Sequence, residues 1–250
     1  MRRYGLIGFP LGHSFSRKYF SEKFEREKII DSSYENFPIV SIEDFPELLD
    51  SNPELCGLNV TIPYKTAILK YIDVPEPAVS QIGAANVLKI QRKDGNIRIH
   101  GFNSDVTGIY DSLKPVIGGN IRNALILGTG GGSRAVQYTL SKLGLNLVIV
   151  SRKRAPGLIC YDDLNRTILE KTELIVNTTP LGMFPDSSSK PDLNYDLLNK
   201  NHILFDLVYN PEITEFLRMG KERGCRIVTG LKMLHSQAER SWEIWNDNNI

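Results

Sequence analysis

Apolar and polar positions along this chain fall into short blocks whose period switches between that of a strand and that of a helix. Ala124-Leu125-Ile126-Leu127 is a continuous apolar run of the kind buried on both faces of a parallel sheet. Residues 133–143 then carry Ala135, Val136, Thr139, Leu140 and Leu143 at helical spacing, with Gly144 as the stop. Residues 145–150 (LNLVIV) are a second apolar run. Between the first strand and the helix lies Gly128-Thr129-Gly130-Gly131-Gly132-Ser133. Strand, glycine turn, helix and strand in about thirty residues make one βαβ unit.

The same patterning organises the rest. Residues 3–8 predict a strand and 17–28 a helix with Phe20 and Phe24 on its inner face, followed by a strand at 34–40. Ser41-Ile42-Glu43-Asp44 has capping-box spacing for a short helix. In the strand at 55–62, Leu58, Val60 and Ile62 point one way and Asn59 and Thr61 the other. Pro63 predicts a helix start with Lys65 in its first turn, where a cation opposes the dipole by a few tenths of a kcal/mol. Residues 80–85 read as irregular. Residues 86–90 and 96–99 flank Asp94-Gly95, a hairpin signal. A helix runs from Asp105 to residue 113, and strands are expected at 174–179, 203–209 and 226–228. Residues 187–191 read as a mobile loop, and a helix spans 211–223 with Ile213, Phe216 and Leu217 inward. Gly230 opens a final helix with the stripe Leu231, Leu234, Ala238, Trp242 and Trp245. The fold class is α/β, and 250 residues with 41% hydrophobic content suffice for two modest domains.

The glycines have a chemical reading. A pyrophosphate reaches the N–H groups at a helix N-terminus only where no side chain intervenes, so Gly128 and Gly130 fit a dinucleotide fingerprint in which Ser133 replaces the third glycine. An NAD site would place an acidic residue about 20 positions on. Here the strand ends in Ser151-Arg152-Lys153-Arg154, and a guanidinium grips a 2′-phosphate, so Arg152 selects NADP. Ser14 and Ser16 either cap the helix that follows or hold a carboxylate there. Asn59, Thr61 and Lys65 converge at the carboxyl end of one strand, where open α/β sheets bind ligands. Asp105, opening a helix, reads locally as a cap. A net charge of +1 favours neither nucleic acid nor an anionic membrane. No apolar run approaches the ~20 residues needed to span a bilayer, and the N-terminus lacks an apolar signal core. Cys56, Cys160 and Cys225 are isolated and fit buried thiols of a reducing cytoplasm, and the four histidines do not cluster, so no metal site is expected.

These pieces resemble the shikimate dehydrogenase family along nearly the whole chain. The matching motifs are GFPLGHSFS near the start, NVTIPYK at 59–65, GAANVL at 83–88, GFNSDVTG at 101–108, GTGGGS at 128–133, DLVYNP at 206–211 and GLKMLHSQA at 230–238. The resemblance implies NADPH-dependent reduction of 3-dehydroshikimate to shikimate, in aromatic amino-acid biosynthesis. It implies that Ser14 and Ser16 hold the substrate carboxylate, with Tyr209 near that end, and that Asn59, Thr61, Asn86 and Gln237 bind ring hydroxyls. Lys65 and Asp105 would be the catalytic pair. Gly128, Thr129, Gly130, Gly131 and Gly132 would hold NADP together with Ser151, Arg152 and Lys153, while Leu207, Gly230 and Met233 would line the nicotinamide side. The family fold is two α/β domains with the active site between them. Here that means a substrate domain of residues 1–101 and 231–250, a Rossmann-type NADP-binding domain of residues 102–230, and a final helix returning to the first domain. A monomer or homodimer acting on a small molecule is expected. Arg17, Ser104 and Ser151-Arg152-Lys153 depart from the family's usual proline, threonine and Asn-Arg-Thr. A quinate/shikimate dehydrogenase of broader specificity and a non-catalytic NADP-binding sensor are the rival readings.

Overall fold

The computed structural model describes residues 1–12 and 15–249, and the chain divides into two compact units, residues 1–104 with the chain from Ala238 onward, and residues 105–237. The first unit comprises β1 (Arg2–Gly8), α1 (Phe15–Arg26), β2 (Ser32–Pro38), α2 (Phe45–Ser51), β3 (Leu55–Val60), β4 (Val74–Pro75), α3 (Pro77–Ile82), β5 (Val87–Lys93) and β6 (Asn96–Phe102). Its sheet runs β2-β1-β3-β5-β6-β4, with β2, β1 and β3 parallel and β5 antiparallel to both neighbours. The β5–β6 hairpin is the one expected. Asp94 and Gly95 both take positive φ, 52° and 78°, and Lys93 pairs with Asn96, so the turn twists with its strands. One face of the sheet buries Ile7, Phe45, Leu58, Val60 and Ile68, and the other Tyr4, Phe20, Tyr34, Val87 and Trp245. Trp245 stacks on Tyr4 at 4.8 Å and donates its indole N–H to the Leu88 carbonyl at 2.9 Å.

The second unit begins with α4 (Asp105–Leu113) and continues through β7 (Asn123–Leu127), α5 (Gly131–Lys142), β8 (Asn146–Ser151), β9 (Ile159–Cys160), α6 (Arg166–Glu170), β10 (Leu174–Asn177), β11 (Ile203–Asp206), α7 (Glu215–Glu222) and β12 (Arg226–Val228) into α8 (Gly230–Asn246), whose residues from Ala238 onward belong to the first unit. Its sheet is parallel throughout, in the order β12-β11-β10-β7-β8-β9. The winding direction reverses between β10 and β7, the switch point of a doubly wound sheet, beyond whose carboxyl ends such folds bind ligands. Apolar residues cover both faces, Ile109, Val136, Leu140 and Phe205 on one and Leu169, Leu204, Phe216 and Leu217 on the other. That is why β7, β10 and β11 read as unbroken hydrophobic runs.

Several expectations need correction. No α-helix starts at Pro63: residues 62–66 form turns, followed by a 3₁₀ turn at Ala67–Tyr71. The Lys65 carbonyl accepts the Ala85 N–H at 2.8 Å, so a tertiary bond takes the acceptor that a helix would have used. Lys65 therefore does not lie against a helix dipole. Ile62 lies past the end of β3 and is 75% exposed. Residues 80–85 are not irregular throughout, because α3 covers Pro77–Ile82, with Pro77 at its start and Gly83 in the left-handed region at its end. β10 and β11 end at Asn177 and Asp206, where polar side chains turn back onto the following backbone. α7 starts only at Glu215, capped by Thr214, and Ile213 is exposed rather than inward, while Phe216 and Leu217 are buried. α5 starts two residues before the expected Ser133, with Gly130 as its cap. In α8, Leu231 and Trp242 are half-buried, and Met233, Ser241 and Ile244 join Leu234, Ala238 and Trp245 in the interior. The loop at 187–191 is tied back by Ser189, whose hydroxyl accepts the Gly182 N–H at 2.9 Å. All three cysteines are free, and Cys56 is only half-buried. Among the described residues no helix is long and apolar enough to cross a membrane, and no cluster of three or more His, Cys, Asp or Glu suits a metal.

Candidate active site

The glycine turn caps the switch-point strand of the second unit. Gly128 has φ +111°, and a Cβ there would lie 2.7 Å from the Thr178 hydroxyl, so only glycine fits. The Gly128 N–H continues the β7–β8 ladder by donating to Val150 O at 2.9 Å, and its carbonyl accepts the Ser133 hydroxyl at 2.7 Å. Ser133 is fully buried, so the serine in the third fingerprint position preserves the close helix–strand packing. Thr129 and Gly130 are exposed, and nothing lies within 4 Å of where a Gly130 Cβ would be. The start of the twelve-residue α5 therefore presents open backbone at the carboxyl end of β7, a cradle that fits a pyrophosphate.

At the end of β8, the half-buried Ser151 hydroxyl accepts the Lys153 N–H at 3.1 Å, and Arg152 and Lys153 are exposed. Arg154 is committed elsewhere, in an ion pair with Asp163 at 2.9 Å. Arg152 approaches Tyr161, whose phenol burial pushes up and the guanidinium pulls back. Residues 151–154 thus carry cations and no carboxylate of their own, with the nearby Asp163 taken by Arg154, which fits a 2′-phosphate at Arg152.

A third wall comes from the end of β11 and the start of α8. Leu207 touches the α5 start, its Cδ2 lying 3.1 Å from a Gly132 Cβ position. Gly230 is buried, and a Cβ there would lie 2.6 Å from the carbonyls of both Leu207 and Val208. The first turn of α8 is thereby seated on the backbone after β11. Gly132, Leu207 and Gly230 are accordingly brought together, with Met233 packed against Gly108 of α4. Tyr209 is 37% exposed, and desolvation raises its phenol above the ordinary value. Gln237, half-buried in α8, and Asp105, buried at the start of α4, belong to this unit as well.

In the first unit, polar side chains gather at the carboxyl end of β3. Asn59 accepts the Tyr34 hydroxyl at 2.9 Å and donates to the Ser241 hydroxyl at 2.9 Å. Asn86, buried, donates to the Ser104 hydroxyl at 3.1 Å and accepts the Ser104 N–H at 2.7 Å. Ser104 and Ser241 hydroxyls lie 3.4 Å apart, closing the network. Ser16, in the first turn of α1, hydrogen-bonds Tyr34, whose burial raises its phenol. Ser14 lies outside the described residues. Thr61 follows β3, half-buried, its N–H held by Ile7 O at 2.9 Å. Lys65 is half-buried in the turn beyond, tied through Ala85 to the segment that carries Asn86. Asn103 donates to the Ala84 carbonyl at 3.0 Å from the other side.

Ser16, Asn59 and Asn86 therefore share one network. Tyr34 and Ser241 complete it and were not singled out from sequence, because a strand tyrosine and a helix serine carry no local signal. Asp206, Asn177 and Thr214 carry no role in the sequence reading, although Asp206 opens the DLVYNP motif. The available signal was a polar residue closing each of two buried strands, LIVN and ILFD.

Comparison with known proteins gives a consistent picture. A family model described as the shikimate dehydrogenase substrate binding domain matches residues 6–88. A shikimate dehydrogenase (NADP(+)) of Methanococcus aeolicus is 34% identical, over 96% of this chain and 90% of its own. A crystal structure of shikimate dehydrogenase in complex with NADP+ superposes with TM-score 0.87 at 30% identity, covering 98% of this chain and 90% of that one. Shikimate 5-dehydrogenase from Listeria monocytogenes, in complex with shikimate and NAD, superposes with TM-score 0.86 at 27% identity, covering 98% and 91%.

Proposed function

The chain belongs to the shikimate dehydrogenase family, and from that premise we propose how its own residues carry the reaction. It is an NADP-dependent oxidoreductase acting on a CH–OH group, interconverting 3-dehydroshikimate and shikimate in aromatic amino-acid biosynthesis. The observation that carries the cofactor reading is the open glycine start of α5 beside a β8 end that bears Arg152 and no carboxylate. Gly128, Thr129, Gly130, Gly131 and Gly132 hold the pyrophosphate, Ser151, Arg152 and Lys153 the 2′-phosphate, and Leu207, Gly230 and Met233 the nicotinamide side. When bound, NADPH supplies the hydride that reduces the C3 carbonyl of 3-dehydroshikimate.

The protein's part is to bind, orient and supply the proton. Ser14 and Ser16 hold the substrate carboxylate, with Tyr209 near that end, and Asn59, Thr61, Asn86 and Gln237 take ring hydroxyls. Tyr34 and Ser241 occupy two of the hydrogen-bonding positions of Asn59, which turns its amide in a defined direction. Lys65 donates a proton to the carbonyl oxygen or stabilises its developing charge, and Asp105, whose carboxylate accepts, positions hydroxyl groups. Most of the substrate groups named here belong to the first unit and the NADP groups to the second, with Tyr209 and Gln237 also in the second. The three free cysteines support a cytoplasmic protein, and a monomer or homodimer is proposed, which light scattering distinguishes.

One absorbance assay tests the reading. NADPH with 3-dehydroshikimate should be consumed rapidly, NADH slowly, and quinate with either oxidised cofactor should give little signal. Rapid turnover of quinate with NAD+ would move the chain to the broader quinate/shikimate activity. Silence in every arm would leave only an NADP-binding sensor.

A further inference from the structure

Asp206, the last residue of β11, is fully buried and has no role in the mechanism above. One carboxylate oxygen accepts the Asn177 amide at 3.0 Å and the Val208 N–H at 3.0 Å, and the other accepts the Thr214 hydroxyl at 2.6 Å. The donors come from the end of β10, from the residue after Leu207, and from the cap of α7. Asn177 is itself occupied. Its side-chain oxygen accepts from the Thr179 N–H and hydroxyl at 3.0 and 2.6 Å, and its carbonyl accepts the Leu207 N–H at 3.0 Å. A buried carboxylate is costly unless its lone pairs are filled, so an apolar or amide residue would serve stability as well. What a carboxylate does that an amide does not is accept from three converging donors at once. That ties residues 207–214 near both ends, by the Val208 N–H at one and the Thr214 hydroxyl at the other.

We infer that Asp206 is a positioning residue, which fixes the backbone of Leu207 to Tyr209 through Val208 and Thr214 and so sets the nicotinamide wall of the cofactor site. The inference rests on the roles proposed above for Leu207, Tyr209 and Gly230. The link to Gly230 is direct, since that residue packs on the very carbonyls of Leu207 and Val208.

The test uses the full chain with Asp206→Asn, Thr214→Val and Thr214→Ser. Amide hydrogen exchange is read over residues 207–214, and NADPH binding by fluorescence titration. In Asp206→Asn and Thr214→Val, exchange in that segment should accelerate about tenfold while the amides of β7, β10 and β11 stay protected. The NADPH dissociation constant should rise by about tenfold as well. Thr214→Ser keeps the hydroxyl and should restore both. Unchanged exchange at 207–214, an even loss of protection across the second unit, or a loosened segment with unaltered NADPH affinity would each overturn the inference. Failure of the wild-type chain to bind NADPH would instead remove the cofactor reading, and the exchange measurement would still decide whether Asp206 fixes the segment.

Discussion

The backbone of Lys65 is pinned by the hydrogen bond from Ala85, so its side chain can be changed without releasing the turn that carries it. Lys65→Met keeps the apolar stem and removes the ammonium. If the ammonium meets charge mainly in the transition state, turnover should fall by about 10²–10⁴ with NADPH affinity near wild type. Stopped-flow measurement of the hydride step at saturating substrate reads this directly, and a wild-type rate would remove Lys65 from the mechanism. Arg152 carries the corresponding expectation for cofactor choice. With Arg154 held by Asp163, Arg152 is the guanidinium at this strand end without that commitment. A charge-assisted contact to the 2′-phosphate is worth roughly 1.5–3 kcal/mol. Arg152→Ala should therefore raise the KM for NADPH by about ten- to a hundredfold and leave NADH kinetics unmoved. Equal losses with both cofactors would refute the assignment.

Elements whose cause is local were legible in the sequence, and those whose cause is distant were not. The β7–α5 turn is local: its glycines answer to φ and to close approach, which any reader of the chain can anticipate. Gly128→Ala makes the dependence measurable. The left-handed φ costs roughly 1–3 kcal/mol, and the added methyl meets Thr178. A denaturant melt should show that loss together with weakened NADPH binding, and an unaltered melt would mean that the turn relaxes freely. The Asp94-Gly95 hairpin and the Ser41 capping box, present with Asp44 as its partner, are likewise written in adjacent residues. The helix expected after Pro63 failed for the opposite reason. Its carbonyl at Lys65 was claimed by Ala85, a partner that no local pattern announces. Strand ends shifted in the same way. ILFDLVY is apolar enough to continue, but the Asp206 carboxylate folds back onto Val208 and stops it. Asn59 and Asn86 were legible as polar positions on strand ends, whereas Tyr34 and Ser241, which orient the first of them, belong to other elements altogether.

For the whole molecule, the buried carboxylate predicts a pH signature in stability. Burial pushes the Asp206 carboxyl up to about 6 against an ordinary 3.8, while its three hydrogen bonds pull the other way. A folded-state value above the unfolded one means that the folded protein holds the proton more tightly. The contribution of this group is then fully present below about pH 4 and is lost as pH rises through about 6, on the order of 3 kcal/mol in all. Asp206→Asn does not titrate, so the melting temperature of the wild type minus that of the variant should decline between those limits. A rising difference would contradict the sign. A separate consequence concerns the order in which the molecule is made. The first unit is discontinuous: it takes residues 1–104 and then the chain from Ala238 onward, with the whole of residues 105–237 synthesised between. Trp245, which stacks on Tyr4 and bonds the Leu88 carbonyl, is absent while β1 and β5 leave the ribosome. The second unit has all its strands before that tryptophan exists. During translation, then, the earlier-made sheet waits with its Tyr4 face covered by α1 but not yet by the Trp245 helix while the later-made sheet closes, and residues made early are completed late.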